Sequence, residues 1–326
     1  MPTITDYSKF EDNYSSNKKW GLSFFIKIIL LSLLIAFFIN IFIGDNRNTT
    51  DFINPLAESI IQKGNQILNP ETNSINLENI IQKELNNADG DYAVAIKNLK
   101  TGERYLYNEN NIFETASLYK LFVMTEAFEQ ITSGDLDPDQ LLSQEIPILN
   151  KKFGIATESA ELTEGSISIK VNDAITKMIT ISDNYSALLI SEKVGISKVS
   201  KFLETNDFNT TKMGTLTNAP TTTASDMLKF FENLYESEVA VSNNTKAMLT
   251  LLKNQQLNSK LPKYLPENIE IAHKTGELGR LSHDAGIVFT PKGDYVIVIL
   301  TETSKPIDAN EKISVISKNV YEYFNN

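Results

Sequence analysis

The sequence predicts an α+β fold: an antiparallel sheet assembled from both ends of the chain, flanked by helices, with an all-helical subdomain inserted between the two halves. Three observations carry this. Strand signals are confined to residues 91–108 and 269–301, far apart in the chain. Helical spacing of apolar residues fills most of 170–260. A last helical pattern runs from about 310 to 324. The 326 residues are 41% hydrophobic, enough for a sizeable core.

In chain order, residues 1–21 form a cytoplasmic tail with Lys9, Lys18 and Lys19, ahead of an apolar run at 22–43 (LSFFIKIILLSLLIAFFINIFI) whose one charge is Lys27. A helix of that length rises about 30 Å, enough to cross a bilayer core. The preceding lysines put the N-terminus in the cytoplasm, and Lys27 can snorkel to the same side. The run is longer than the apolar part of a cleaved leader, and no Ala-x-Ala-like site follows it. The expectation is a single-pass transmembrane helix with the rest of the chain outside the cytoplasm.

Residues 44–73 are polar and rich in Asn and Thr, with Pro55 and Pro70, and read as a linker. The globular domain then spans 74–326. Ile75, Leu77, Ile80, Ile81 and Leu85 recur at helical spacing. A hairpin follows: Tyr92, Val94 and Ile96 alternate, Lys100-Thr101-Gly102 turns, and Tyr105 and Tyr107 alternate on the return. A helix over about 117–130 is apolar nearly all round and is expected to be buried. The helical insertion occupies about 126–265. Strands return at 269–272, 285–289 and 295–301, the last two joined by Pro291-Lys292-Gly293-Asp294.

Charge and composition exclude several function classes. A formal charge of −11 leaves no basic face for nucleic acid, although local lysines can still attract a small anion. With no cysteine, thiol catalysis, disulfides and cysteine-ligated zinc are excluded. The only histidines are His273 and His283, too few for a zinc site built on several imidazoles. No metal and no cofactor are expected, and the oligomeric state is left open.

Three short motifs occur in one order: Ser117-Leu118-Tyr119-Lys120, Ser182-Asp183-Asn184 and Lys274-Thr275-Gly276. Together they offer a nucleophile, a proton shuttle and an anion clamp. Each string alone is weak, and the chain holds its own decoys: Ser15…Lys18, Ser16…Lys19 and Lys100-Thr101-Gly102. Context separates them. Ser117 opens the buried helix, where residues three apart share a face, so Lys120 is expected to hold its amine against the Ser117 hydroxyl. Burial and a nearby cation lower a lysine pKa and let it accept a proton. The helix N-terminus favours a developing oxyanion. Ser182-Asp183-Asn184 is a polar triplet between helical runs. Lys274-Thr275-Gly276 ends the strand begun at Ile269, where Lys274 can bind a substrate carboxylate beside small residues that admit a substrate backbone. Ser282-His283-Asp284 is not expected to act as a triad, because adjacent strand residues point to opposite faces; the two histidines read as structural.

On these motifs, the region from 74 to 326 resembles the class A β-lactamase and penicillin-binding serine hydrolase family. Thr221-Thr222-Thr223-Ala224-Ser225-Asp226-Met227 looks like its Thr-rich turn and helix start, and 283–301 like its final strand pair. The resemblance implies a bacterial cell-membrane enzyme whose partner is a β-lactam or a D-Ala-D-Ala peptide. It implies that Ser117 is acylated, that Lys120 is its base and that Ser182 relays a proton to the leaving nitrogen. It also implies that Asn184 holds the substrate side-chain amide, that Lys274, Thr275 and Gly276 bind the substrate carboxylate end, and that the backbone N–H groups of Ser117 and Glu277 form the oxyanion hole.

One part is missing. The family's class A members carry an omega-loop glutamate that activates the deacylating water, whereas 208–220, FNTTKMGTLTNAP, holds no Asp or Glu and looks about ten residues short. Glu204 and Asp207 lie just upstream. The expectation is slow deacylation in a β-lactam-opening hydrolase. A D-Ala-D-Ala peptidase and a non-catalytic β-lactam or wall-peptide sensor are the alternatives.

Overall fold

A computed structural model describes residues 71–237 and 242–326; the transmembrane expectation at 22–43 and most of the linker fall outside the described residues. The first helix, α1 (Glu71–Leu85), begins slightly before the expected Ser74. The hairpin β1 (Asp91–Asn98) and β2 (Arg104–Tyr107) follows as expected. Its turn is held by the Asn98 side chain, which accepts from the N–H groups of Lys100 (3.0 Å) and Thr101 (2.9 Å). This decoy Lys-Thr-Gly string is a turn. Strands β7 (Ile271–Leu278), β8 (Leu281–Val288) and β9 (Tyr295–Glu302) return near the other end of the chain, and α9 (Pro306–Asn325) closes it.

The sheet order is β2-β1-β9-β8-β7, antiparallel throughout, so β1 pairs directly with β9 from the opposite end of the chain. Both sheet faces are covered. On β1 and β9, Val94, Ile96, Ile297 and Ile299 point toward α1 and α9, into a core with Leu77, Ile81, Ile313 and Ile316. Ala93, Ala95, Val298 and Leu300 point the other way, into the core shared with the insertion. Strands buried on both faces read as continuous apolar runs, which is why YVIVIL at 295–300 shows no polar alternation.

Between the sheet halves come β3 (Phe113–Glu114), a 3-10 turn (Ala116–Tyr119) and α2 (Lys120–Ser133). After α2 come β4 (Leu141–Glu145), α3 (Ile146–Lys152), β5 (Ser166–Lys170), α4 (Val171–Thr180), α5 (Asn184–Val194) and α6 (Ile196–Thr205). Then come β6 (Thr221–Thr222), α7 (Ala224–Glu236) and α8 (Ser242–Lys253). Helix α2 is the hub of the larger core: Leu121, Phe122, Val123, Met124 and Ala127 are all fully buried. Each large apolar side chain buried this way is worth about 1.5–3 kcal/mol.

The expected all-helical insertion is corrected in two places. β4 and β5 form an antiparallel ribbon, and β6 pairs with β3. Ser166-Ile167-Ser168-Ile169-Lys170 does alternate at period two, but both ribbon strands lie near the surface and bury little.

Candidate active site

Ser117 lies in the 3-10 turn between β3 and α2. The residue before it, Ala116, has φ 44°, the left-handed region that a β-carbon disfavours. Such backbone costs of order 1–3 kcal/mol and is kept where its surroundings over-determine it. Three contacts do so here. Thr115 donates its N–H to the Pro220 carbonyl at 2.8 Å. β3 pairs with β6. Buried His283 on β8 accepts the Thr301 N–H on Nδ1 at 3.0 Å, so its proton sits on Nε2, which lies 2.9 Å from the Glu114 carbonyl and donates to it. Burial lowers the His283 pKa to about 4, keeping the ring neutral. The Ser117 side chain is partly exposed and makes no hydrogen bond among the described residues.

Lys120 is fully buried at the start of α2. The expected contact with the Ser117 hydroxyl is not made. The Lys120 ammonium instead donates to the Ser182 carbonyl (2.6 Å), Asn184 Oδ1 (2.7 Å) and Ser182 Oγ (3.2 Å). A buried ammonium has three protons to satisfy, and these three acceptors meet that need. Burial lowers the Lys120 pKa to about 8, with Asp183 and Glu161 pulling it back up.

The second motif sits where expected, between α4 and α5. Asp183 caps α5 by accepting the Ser186 N–H at 2.7 Å. Ser182 has φ 59°, again left-handed backbone in a residue with a side chain. Lys274 is also fully buried and donates to Ser182 Oγ at 2.9 Å and to the Thr275 carbonyl at 2.9 Å. Burial drives its pKa well down, and the charges of Lys120 and Lys260 add to this. Ser182 Oγ is thus the meeting point of both lysines. With its acceptor positions taken by two ammonium groups, its single O–H proton is free to be donated outward.

Lys274-Thr275-Gly276 lies inside β7, not at the end of the strand as expected, because β7 continues to Leu278 against β8. The strand packs against the Ser117 turn. A β-carbon at Gly276 would lie 3.0 Å from the Thr115 carbonyl, so glycine lets strand and turn approach this closely. Glu277 is exposed and forms an ion pair with fully buried Lys260. The three-residue string at 282–284 is confirmed as no triad: Ser282 bonds Asn310, His283 bonds Glu114, and Asp284 bonds His273 Nδ1 at 2.9 Å and the Leu261 N–H at 3.1 Å.

Segment 206–220 borders the turn on another side. Asp226 on α7 anchors it, accepting from the Thr210 N–H (3.2 Å), the Thr211 N–H (2.7 Å) and Thr211 Oγ1 (2.8 Å). Glu204 and Asp207 are exposed and make no hydrogen bond to Ser117, Lys120, Ser182 or Asn184. Two charged groups near the cluster were not expected from sequence. Glu161 accepts from Asn184 Nδ2, and Lys260 lies beside Lys274. Neither carries a local signal: Glu161 is one of three glutamates in the polar stretch 153–165, and Lys260 stands in an ordinary loop. Among the described residues no group of three or more His, Asp or Glu side chains could hold a metal ion.

The family model described as "Beta-lactamase enzyme family" matches residues 76–324. Curated relatives include Beta-lactamase CARB-4 of Pseudomonas aeruginosa, 25% identical over 250 residues, which cover 71% of this chain and 84% of the relative. Beta-lactamase VEB-1 of Pseudomonas aeruginosa is 24% identical over 289 residues, covering 79% of this chain and 93% of the relative. Among solved structures, PBP-A superposes with a TM-score of 0.68 at 24% identity, covering 76% of this chain and 96% of that one. A variant of PBP-A in an acyl-enzyme complex with penicillin G gives 0.68 at 22% identity, covering 76% and 95%.

Proposed function

Because the chain belongs to the β-lactamase enzyme family, the class A β-lactamase and penicillin-binding serine hydrolases, we propose that this serine hydrolase is acylated on Ser117 by β-lactams and opens their ring, with slow release of the acyl group. The observation that carries the reading is Ser182 Oγ held between the buried ammonium groups of Lys120 and Lys274, beside the Ser117 turn.

The chemistry follows from the protonation states. With a pKa of about 8, a minority of Lys120 is neutral near pH 7. The neutral amine takes the Ser117 proton as Oγ attacks the lactam carbonyl. The apo side chains are not yet in hydrogen-bond contact, and such contacts often tighten only when substrate binds. The tetrahedral oxyanion sits at the N–H groups of Ser117 and Glu277. Ser182 gives its proton to the departing nitrogen as the C–N bond breaks, and is reprotonated from the lysines it bridges. Lys274 and Thr275 hold the substrate carboxylate, Gly276 leaves room for its backbone, and Asn184 holds the side-chain amide.

Release needs a base for water, worth about 10²–10⁴-fold, and 208–220 offers no carboxylate. The same lack favours a second reading, a D-Ala-D-Ala peptidase on wall peptides. Residues 22–43 would tether the enzyme outside the cytoplasm of a bacterial cell, a placement tested by protease accessibility on intact cells.

The test is labelling with a fluorescent penicillin. The chain should label and Ser117→Ala should not. Many turnovers of nitrocefin would point to a β-lactamase, and release of D-alanine from a wall peptide to the peptidase. An unlabelled, folded wild-type chain would overturn the reading.

A further inference from the structure

Besides Lys120 and Lys274, Lys260 is fully buried, in the connection 254–270 between α8 and β7. Its backbone is fastened on both sides. On α9, Ser314 donates its hydroxyl to the Ser259 carbonyl at 3.2 Å, and Ser317 donates to the Leu261 carbonyl at 2.8 Å. The Leu261 N–H goes to Asp284 Oδ2 at 3.1 Å, and Asp284 is itself held by His273, the residue before Lys274. Lys260 is close enough to Lys274 for its charge to help depress that lysine's pKa.

Among the described residues, the Lys260 ammonium has one acceptor, the Glu277 side chain. The partners differ in setting: the ammonium is fully buried and the carboxylate is more than half exposed. A lysine ammonium carries three protons. Lys120 places all three on motif residues, whereas Lys260 depends on a single carboxylate at the surface. Side chains alternate along a strand, so Thr275 and Glu277 share one face of β7. Asp284 and Ser282 stand opposite them on β8, and the Asp284 bond to Leu261 brings the Lys260 loop to that same face. The Thr275 hydroxyl makes no hydrogen bond among the described residues. Glu277 therefore sets a negative charge on Lys260, two residues along the strand from the hydroxyl that the acyl-transfer reading gives to the substrate carboxylate. A carboxylate arriving at Thr275 meets Lys274, but on the Thr275 face it meets a cation already paired and a like charge beside it. It gains from Lys260 only by displacing Glu277.

We propose that the Glu277 side chain is an internal competitor for the substrate carboxylate: it holds the Lys260 ammonium in the free enzyme and so weakens selection for acyl donors that carry a free carboxylate at this end. This rests on the acyl-transfer reading of the site. The role belongs to the side chain alone, because the Glu277 N–H stays in place in any substitution used to test it.

The test uses two donors that differ only in that charge, benzylpenicillin and its methyl ester. Second-order acylation rates are followed by intact-protein mass at about pH 7, where the free carboxyl group is ionised. Glu277→Gln removes the charge at an exposed position. The acid-to-ester rate ratio should rise about three- to tenfold, more than for a fully exposed pair because one partner is buried. It should rise further in Glu277→Lys. In a Lys260→Gln background, Glu277→Gln should raise the ratio by much less, because the cation being contested is gone. A ratio unchanged or lowered in both single variants overturns the proposal, as does an equal speeding of both donors, which would place the effect outside carboxylate recognition. A rise of the same size with and without Lys260 also overturns it, since competition for that ammonium would not be the cause. Acylation with an unchanged ratio leaves the acyl-transfer reading standing. A folded wild-type chain acylated by neither donor overturns that reading and the proposal with it.

Discussion

The cluster around Ser182 and the segment 206–220 both border the turn that carries Ser117, and they are built in opposite ways. In the cluster, two fully buried ammonium groups share one hydroxyl, and all three Lys120 protons and two of the three on Lys274 find acceptors in a motif residue or its backbone. Its polar groups are aimed at one another in a medium where electrostatics is strong. In the segment, polar groups serve the segment itself: Thr215 donates its N–H to the Asn218 carbonyl at 2.8 Å, and Asp226 ties down Thr210 and Thr211. Residues 215–219 are exposed and none is charged. On the proposed reading, the first region holds what bond formation needs, and the second lacks what release needs.

The comparison breaks most directly at the nucleophile. Ser117→Ala should lower acylation by about 10³-fold or more, with little change in thermal stability, since the hydroxyl has no partner to lose. A mass adduct persisting in that variant would move the nucleophile elsewhere.

The strut under the turn gives the next effect. His283 has a folded pKa of about 4 against an ordinary 6.5. As pH falls below 6.5 the unfolded chain takes up the proton first, so this contribution is intact above 6.5 and is lost as pH drops to about 4. The loss is about 3 kcal/mol, at about 1.4 kcal/mol per unit. Urea unfolding at both pH values should show it, and His283→Gln should flatten that slope. An unchanged slope would remove His283 as the support of the turn.

A smaller change concerns Lys120. Acylation needs its neutral form, so the rate should climb about tenfold between pH 7 and 9, with a midpoint near 8. Asp183 is the main charge raising that pKa, so Asp183→Asn should move the midpoint down while retaining a good helix cap. A midpoint unmoved would deny Lys120 the role of base.

The smallest expected effect separates the two regions. Asp226→Asn weakens three hydrogen bonds to the segment and should cost about 1–2 kcal/mol of stability. Because the cluster shares none of those bonds, the acylation rate should stay within about twofold. A large drop in acylation would show that the regions are coupled.

Much of this was legible in the sequence, for physical reasons. The sheet from two chain ends follows from alternation at 91–108 and apolar runs at 269–301, since those strands pair with each other. The Ser182-Asp183-Asn184 loop is marked by its break between two apolar helices, and Asp183 is a natural cap. The strand carrying Lys274 was harder to bound, because two glycines and exposed Glu277 imitate a strand end. The β4–β5 ribbon buries too little to stand out from a loop. Partners joined by tertiary structure left no local trace. Lys120 finds Ser182 and Asn184 more than sixty residues away, and Glu161 reaches Asn184 only because Tyr185 and Asn150 clamp the neighbouring backbone.

On the proposed reading, the site can bond to its substrate, while segment 208–220 offers no carboxylate to free it. Time-resolved intact mass spectrometry after mixing the full chain with a penicillin tests this directly. The account predicts an adduct of one penicillin mass that forms, maps to Ser117 and persists long after free penicillin is removed. Rapid return to the unmodified mass, with hydrolysed penicillin in solution, would contradict it.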